Sequence, residues 1–197
     1  MKPKNLAEKL EDRKAFSPVI LMAGFLLAVA LRVAVGGARV ASSPEAGLIF
    51  ATVLITVCGA YGLATKVTLK SVLIGILGAA ILLVVPFVEK IIGPSNATPS
   101  GDYLLWSIII TCVALAEEAF LRGTFFDAVT KWQGEKTAIV VSAVLFALLH
   151  IPLYGWHVIP LDFAVGLWLG VLRVESGSWI APGIAHTLAD LFRWWLI

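Results

Sequence analysis

The fold is decided by residues 103–122, which read YLLWSIIITCVALAEEAFLR. This run can cross a bilayer as a helix, because a span needs about 20 mostly apolar residues. Near its end it carries Glu117, Glu118 and Arg122. A charged side chain inside the hydrocarbon costs about 2.5–3.5 kcal/mol on insertion scales, so intramembrane charges usually mark function. The run therefore predicts a membrane helix and a functional site together.

Six further apolar runs flank this one, at 16–36, 46–65, 70–88, 137–153, 157–174 and 178–197. The chain of 197 residues is 59% hydrophobic and 14% charged, whereas soluble domains are about 45–50% apolar and 25% charged. We therefore expect an all-α, polytopic membrane helix bundle with about seven transmembrane helices. It would form a single transmembrane domain at 16–197, after a cytoplasmic segment at 1–15. The net charge of +2 and the scattered basic residues argue against a nucleic-acid partner.

The distribution of basic residues over the short loops predicts the orientation. With seven spans, eleven Lys and Arg residues fall on the side of the N-terminus and four, including Arg32, on the other side. We therefore expect a cytoplasmic N-terminus and an outer C-terminus in a multi-pass protein of a bacterial or archaeal inner membrane.

Spacing within the helices predicts which charged side chains meet. Glu118 and Arg122 are four residues apart, as are His186 and Asp190 in the last run, so each pair shares a helix face. Glu117 is rotated about 100° from Glu118 and lacks an intrahelical partner. One glutamate would then be structural, and the other would be left for chemistry.

Three further features lie in the runs between these two. His150 stands two residues before Pro152, where the loss of a backbone donor predicts a distorted helix. Asp162 is a further acid in the sixth run. In that run, Gly166 and Gly170 predict a close approach of two helix backbones, which we interpret as packing.

The depth of these residues indicates that they can meet. Lys131 and Lys136 flank the loop between the two helices, and Glu117 lies 14 residues before Lys131 while His150 lies 14 residues after Lys136. At 1.5 Å per residue, both are about 21 Å deep. His186 and Asp190 lie 10 and 14 residues beyond Ser176, at a similar depth. We therefore predict that three helices bring these four residues together.

The ordered motifs resemble those of a known family of intramembrane proteases. They are Glu117-Glu118-x-x-x-Arg122, Phe146-x-x-x-His150 and His186-x-x-x-Asp190. Together they resemble the signature of the CPBP family, the CAAX prenyl proteases and bacteriocin-processing proteases, also known as the Abi or type II CAAX endopeptidase family. The resemblance covers residues 103–190, which would form the catalytic core around a conical intramembrane cavity.

The resemblance implies a role for each motif residue. Glu117 would activate the attacking water, with His150 holding that water or sharing its proton. His186 and Asp190 would stabilise the oxyanion, and Glu118, Arg122 and Phe146 would support the site. The family often has Asn at position 190, whereas Asp190 donates a hydrogen bond only when protonated. Asp190 therefore either stays neutral as an oxyanion donor or orients His186.

We expect no metal cofactor, because glutamate as the general base needs none and the sequence lacks His-Glu-x-x-His. The alternative is Zn²⁺, with Glu117, His150, His186 and Asp190 as candidate ligands by type.

The expected activity is hydrolysis of a peptide bond in a membrane-associated protein or peptide substrate, with the lipid bilayer as the other partner. CAAX-type, leader-peptide and sorting-tail processing remain open. A non-catalytic membrane scaffold or immunity protein on a protease fold is one alternative. A proton-coupled transporter is another, disfavoured because the intramembrane charges occupy only the C-terminal half of the chain.

Overall fold

Helices make up the regular structure of residues 17–92 and 102–196, the ranges that a computed structural model of the protein describes. No β-strand occurs within these ranges. The predicted cytoplasmic segment at 1–15 and most of the loop after the third run lie outside them. The all-α class predicted from the apolar runs is confirmed.

Nine α-helices follow one another along the described chain. They are α1 (Ser17–Gly36), α2 (Pro44–Ala60), α3 (Leu69–Leu82), α4 (Val85–Ile92), α5 (Tyr103–Glu118), α6 (Phe125–Gln133), α7 (Glu135–Tyr154), α8 (Ile159–Ser176) and α9 (Ile180–Leu196). A π-helical turn, Ala119–Thr124, joins α5 to α6 without a break. Short 3₁₀ turns follow α1 and precede α8.

Five helical stretches are long and apolar enough to cross a membrane. They are Pro18–Arg39, Leu69–Val88, Tyr103–Gln133, Glu135–Tyr154 and Trp156–Ser176. The two remaining predicted runs are also helical, as α2 and α9, but each of these helices has only 17 residues. The chain is therefore an integral membrane protein with a bundle of helices.

The third run contains a break that its sequence pattern did not predict. It stands as one candidate span, Leu69–Val88, but within it α3 ends at Leu82 and α4 begins at Val85. Pro86 explains this break, because its ring nitrogen cannot donate to the preceding turn. Between the predicted runs at 103–122 and 137–153, the helical structure is interrupted at Gly134, whose φ of 87° is a backbone conformation that glycine adopts readily.

Polar side chains fix where several helices begin. The Ser43 hydroxyl accepts from the amide of Ala46 at the start of α2, and the Asp102 carboxylate accepts from the amide of Leu105 at the start of α5. Such caps satisfy backbone donors that have no partner within the helix.

The close approach predicted for the sixth run is present between α7 and α8. A β-carbon on Gly166 would lie 2.8 Å from the Ala143 Cα, and one on Gly170 would lie 3.0 Å from Ile139 Cγ2. Phe25 of α1 stacks on Phe120 with ring centroids 5.5 Å apart. The π-helical turn that follows Glu118 therefore packs against α1.

We expect Gly166→Ala to lower the free energy of unfolding by about 1–3 kcal/mol, because the added methyl group overpacks the contact between α7 and α8. Thermal unfolding in detergent measures this. Gly59→Ala is the matched control, since a β-carbon there meets no atom within 4 Å. Equal stability of the two variants would contradict this account of the packing.

Candidate active site

A buried ion pair lies at the centre of the bundle. Arg122 Nη1 donates to Glu118 Oε1 at 2.8 Å, and both side chains are fully buried. Arg122 Nη2 also donates to the carbonyl of Gly166 at 3.1 Å, and its guanidinium lies 4.8 Å from the Phe146 ring centroid. The pair expected from the four-residue spacing is therefore present, and it binds α5 to α7 and α8.

Gly166 does more than the sequence predicted. The absence of a side chain lets α8 approach α7, and the Gly166 carbonyl is an acceptor for the buried arginine. Such an acceptor matters because a buried guanidinium with unmatched donors is costly. Packing and charge compensation therefore depend on the same residue.

His186 lies between two carboxylates. Its Nδ1 is 3.1 Å from Glu118 Oε1, and its Nε2 is 3.5 Å from Asp190 Oδ2. A carboxylate oxygen can only accept when ionised, so a ring nitrogen bonded to it must donate. This geometry places Asp190 where it can orient His186, one of the two roles left open by the sequence.

Glu117 has a partner that sequence reasoning missed. Arg32 Nη1 in α1 lies 3.4 Å from Glu117 Oε1, and both side chains are buried. The loop count had placed Arg32 outside the membrane span, which was wrong, because Arg32 lies inside α1 four residues before its end. Arg122, which was counted on the side of the N-terminus, is also buried. Without these two residues, ten Lys and Arg residues fall on the side of the N-terminus and three on the other side, instead of eleven and four. The cytoplasmic N-terminus stays a prediction.

His150 is fixed by its own helix. Its Nδ1 lies 2.7 Å from the Phe146 carbonyl, which can only accept, so Nδ1 carries a proton and in the neutral ring Nε2 carries the lone pair. The ring lies 4.5 Å from that of Phe146 and stacks on Tyr154 at 5.7 Å. The distortion predicted at Pro152 does not end the helix, since α7 continues to Tyr154.

Asp162 is the second residue that the sequence did not assign to the site. Its Oδ2 lies 3.9 Å from His150 Nδ1, and its side chain is buried. The signal was available, because an acid inside an apolar run usually has a functional or pairing role. No spacing rule connects it to His150, however, since the two residues lie on different helices.

These side chains surround one cavity of about 70 Å³. Its polar lining consists of Arg32, Glu117, His150, Tyr154, Asp162, His186, Asp190 and Arg193. A cavity holds a water molecule once it offers about 10–15 Å³ of probe-occupied space, so this one has room for several. The convergence predicted for Glu117, His150, His186 and Asp190 from their depths is confirmed.

The π-helical turn after Glu118 is braced from α8. Arg173 Nε donates to the Arg122 carbonyl at 2.7 Å, and Arg173 Nη2 pairs with Asp127 Oδ1 at 2.7 Å. π-helical turns inside α-helices are rare and occur frequently at functional sites. This turn carries Arg122, so the brace fixes the residue that neutralises Glu118.

The donor arrangement around the cavity bears on the alternative of a bound Zn²⁺. Both His186 nitrogens face carboxylates, and the His150 nitrogen that carries a lone pair would be the remaining histidine donor. Among the described residues, no group of three or more His, Cys, Asp or Glu side chains is arranged to hold an ion. Zinc ordinarily takes three or four such ligands.

A comparison with known families agrees with the three motifs. Residues 99–192 match the family model described as type II CAAX prenyl endopeptidase Rce1-like. This segment is therefore similar to a family of intramembrane proteases. The match spans just under half of the chain and contains α5 to α8 and most of α9, but not α1, which carries Arg32. No curated protein and no solved structure matches the chain significantly.

We expect Arg122→Met to lower the free energy of unfolding by about 3–5 kcal/mol, because it removes one partner of a buried pair and leaves the charge of Glu118 uncompensated. Thermal unfolding in detergent measures the loss. Lys131→Met, an exposed position on the same continuous helix, is the control. If the two variants have the same Tm, the pair of Arg122 and Glu118 contributes no stability.

Proposed function

We propose that this protein is an intramembrane endopeptidase that hydrolyses a peptide bond in a membrane-associated substrate with water activated by Glu117. The observation that carries the proposal is the shared cavity, where Glu117, His150, His186 and Asp190 meet inside the segment that matches a protease family. The substrate class stays at this level, with CAAX-type, leader-peptide and sorting-tail sequences as candidates.

Water activation would use Glu117 and His150. The Glu117 carboxylate accepts a proton from the water, and the lone pair on His150 Nε2 accepts a hydrogen bond from the same molecule. The Phe146 carbonyl holds the ring in the tautomer that this requires. The water oxygen then forms a bond to the carbonyl carbon of the scissile peptide, and the carbonyl π electrons move to the oxygen.

The resulting oxyanion would be stabilised by His186. With carboxylates at both nitrogens, the ring is held as a donor, and Nε2 lies 3.5 Å from Asp190 Oδ2. This separation exceeds the usual 2.7–3.2 Å of an N–H···O bond. The Nε2–H group can therefore donate to an oxyanion in the cavity without losing a strong bond. Asp190 would orient the ring, and Glu118 would hold its far side.

Collapse of the intermediate completes the reaction. The oxyanion electrons reform the carbonyl, the bond between carbon and nitrogen breaks, and Glu117 returns its proton to the leaving nitrogen. The products are one peptide that ends in a carboxyl group and one that begins with an amine. Glu117 is then again a carboxylate, ready for the next water.

We expect Glu117→Gln to lower kcat by at least about 100-fold, because an amide cannot accept the proton from water. His150→Ala should also lose turnover. Cleavage of a panel of CAAX, leader and sorting-tail peptides in detergent measures both variants, with thermal unfolding to verify the fold. Glu175→Gln, at an exposed position, is the control. Retained cleavage in either site variant would refute the assignment.

We expect cleavage to be unaffected by a chelator, since no step assigned to Glu117, His150 or His186 requires a metal. Turnover after prolonged incubation with the chelator, followed by removal of the chelator, tests this. A loss of activity that added Zn²⁺ restores would instead assign the reaction to a metal-bound water.

A further inference from the structure

Arg32 is the one cavity-lining charge contributed by α1 among the described residues. It lies outside the segment that matches the protease family. Its side chain is 8% exposed, and Nη1 is 3.4 Å from the carboxylate proposed as the general base. A buried cation this close to a reacting group influences the chemistry of that group through the weak dielectric screening of the interior.

The two neighbouring glutamates are held differently. Glu118 has a 2.8 Å bond to Arg122 and a second bond to His186. Glu117 has a single contact with Arg32, at 3.4 Å, beyond the usual 2.7–2.9 Å of a charge-assisted bond. The tight pair suits a permanent structural element, whereas the loose pair leaves Glu117 lone pairs for a water molecule.

Among the described residues, the guanidinium of Arg32 is held by packing rather than by further hydrogen bonds. It lies 4.8 Å from the centroid of the Phe50 ring in α2. Its buried Nε has no hydrogen-bond partner in the described part of the chain. Stacking on an aromatic face is favourable for arginine and still leaves its donors free to reorient.

We propose that Arg32 is a positioning residue for Glu117, which makes α1 and α2 part of the active site. The proposal rests on the function proposed for Glu117. Arg32 holds the carboxylate towards the cavity in the resting state. When Glu117 takes the proton from water, negative charge moves to the oxyanion, and the positive charge of Arg32 stays in the same cavity to balance it.

The first test separates the charge of Arg32 from its bulk. We expect Arg32→Gln to lower kcat about 10- to 100-fold with KM within about threefold of the wild type, since misplacement of a reacting group acts mainly on turnover. Arg32→Lys should recover at least about half of the decrease in log kcat, because a point charge remains. Arg39→Gln, an exposed neighbour in the chain, should behave as the wild type.

The outcomes of this test are distinguishable from a failure of the proposed function. Wild-type kcat in Arg32→Gln, or a change in KM alone, would overturn the role of Arg32 while Glu117→Gln stays inactive. A lysine variant as slow as the glutamine variant would overturn the role of the charge. Cleavage by Glu117→Gln would instead overturn the proposed general base, and the role of Arg32 with it.

A second measurement remains valid if Arg32→Gln folds poorly. Thermal unfolding of Arg32→Met, Glu117→Gln and the double variant forms a cycle that reports the pairing without any substrate. We expect the double variant to have a higher Tm than Arg32→Met, because the unpaired carboxylate is then removed. Additive losses in Tm would show that the two residues do not interact, which would overturn the proposal.

Discussion

Two adjacent carboxylates in the interior of a membrane bundle each need a cation within a few ångströms, because desolvation of an ion costs several kcal/mol even after relaxation. Consecutive helical positions point about 100° apart, so Glu117 and Glu118 cannot share one partner. Glu118 uses Arg122 from its own helix, and Glu117 uses Arg32 from α1. The requirement for two cations in two directions means that α5 must be enclosed by the C-terminal helices on one side and by the N-terminal helices on the other.

The geometry of the Glu118 side shows how charge compensation and packing become one constraint. Arg122 donates to the carbonyl of Gly166, the residue at which α8 packs closely against Ala143 of α7. From the other end of α8, Arg173 donates to the backbone of the π-helical turn. His186 of α9 completes the set through Glu118. Four elements are thus fixed relative to one pair of charges, which is the kind of support that a catalytic geometry requires.

Sequence reasoning succeeds here where geometry is local. Apolar runs predict the helices, and the four-residue spacing predicts the pair of Glu118 and Arg122, since both follow from the pitch of one helix. The contact between Arg32 and Glu117 spans 85 residues of sequence separation and depends on how α1 is rotated against α5. Composition does not specify that rotation. The same reason explains why Asp162 was noticed as an intramembrane acid but not connected to His150.

The two adjacent glutamates differ in how firmly they are held, since the pair of Glu118 with Arg122 is short and the pair of Glu117 with Arg32 is long. Because Glu118 is bound at 2.8 Å to the π-helical turn and at 3.1 Å to His186, it fixes the rotation of α5 about its axis. That rotation directs the preceding side chain, Glu117, into the cavity towards His150. The proposed general base is therefore positioned by its rigidly held neighbour, Glu118, and has only one weak contact of its own. An arrangement with a tight bond to Glu117 would position it equally well, but it would occupy the oxygen that accepts a proton from water in the proposed reaction.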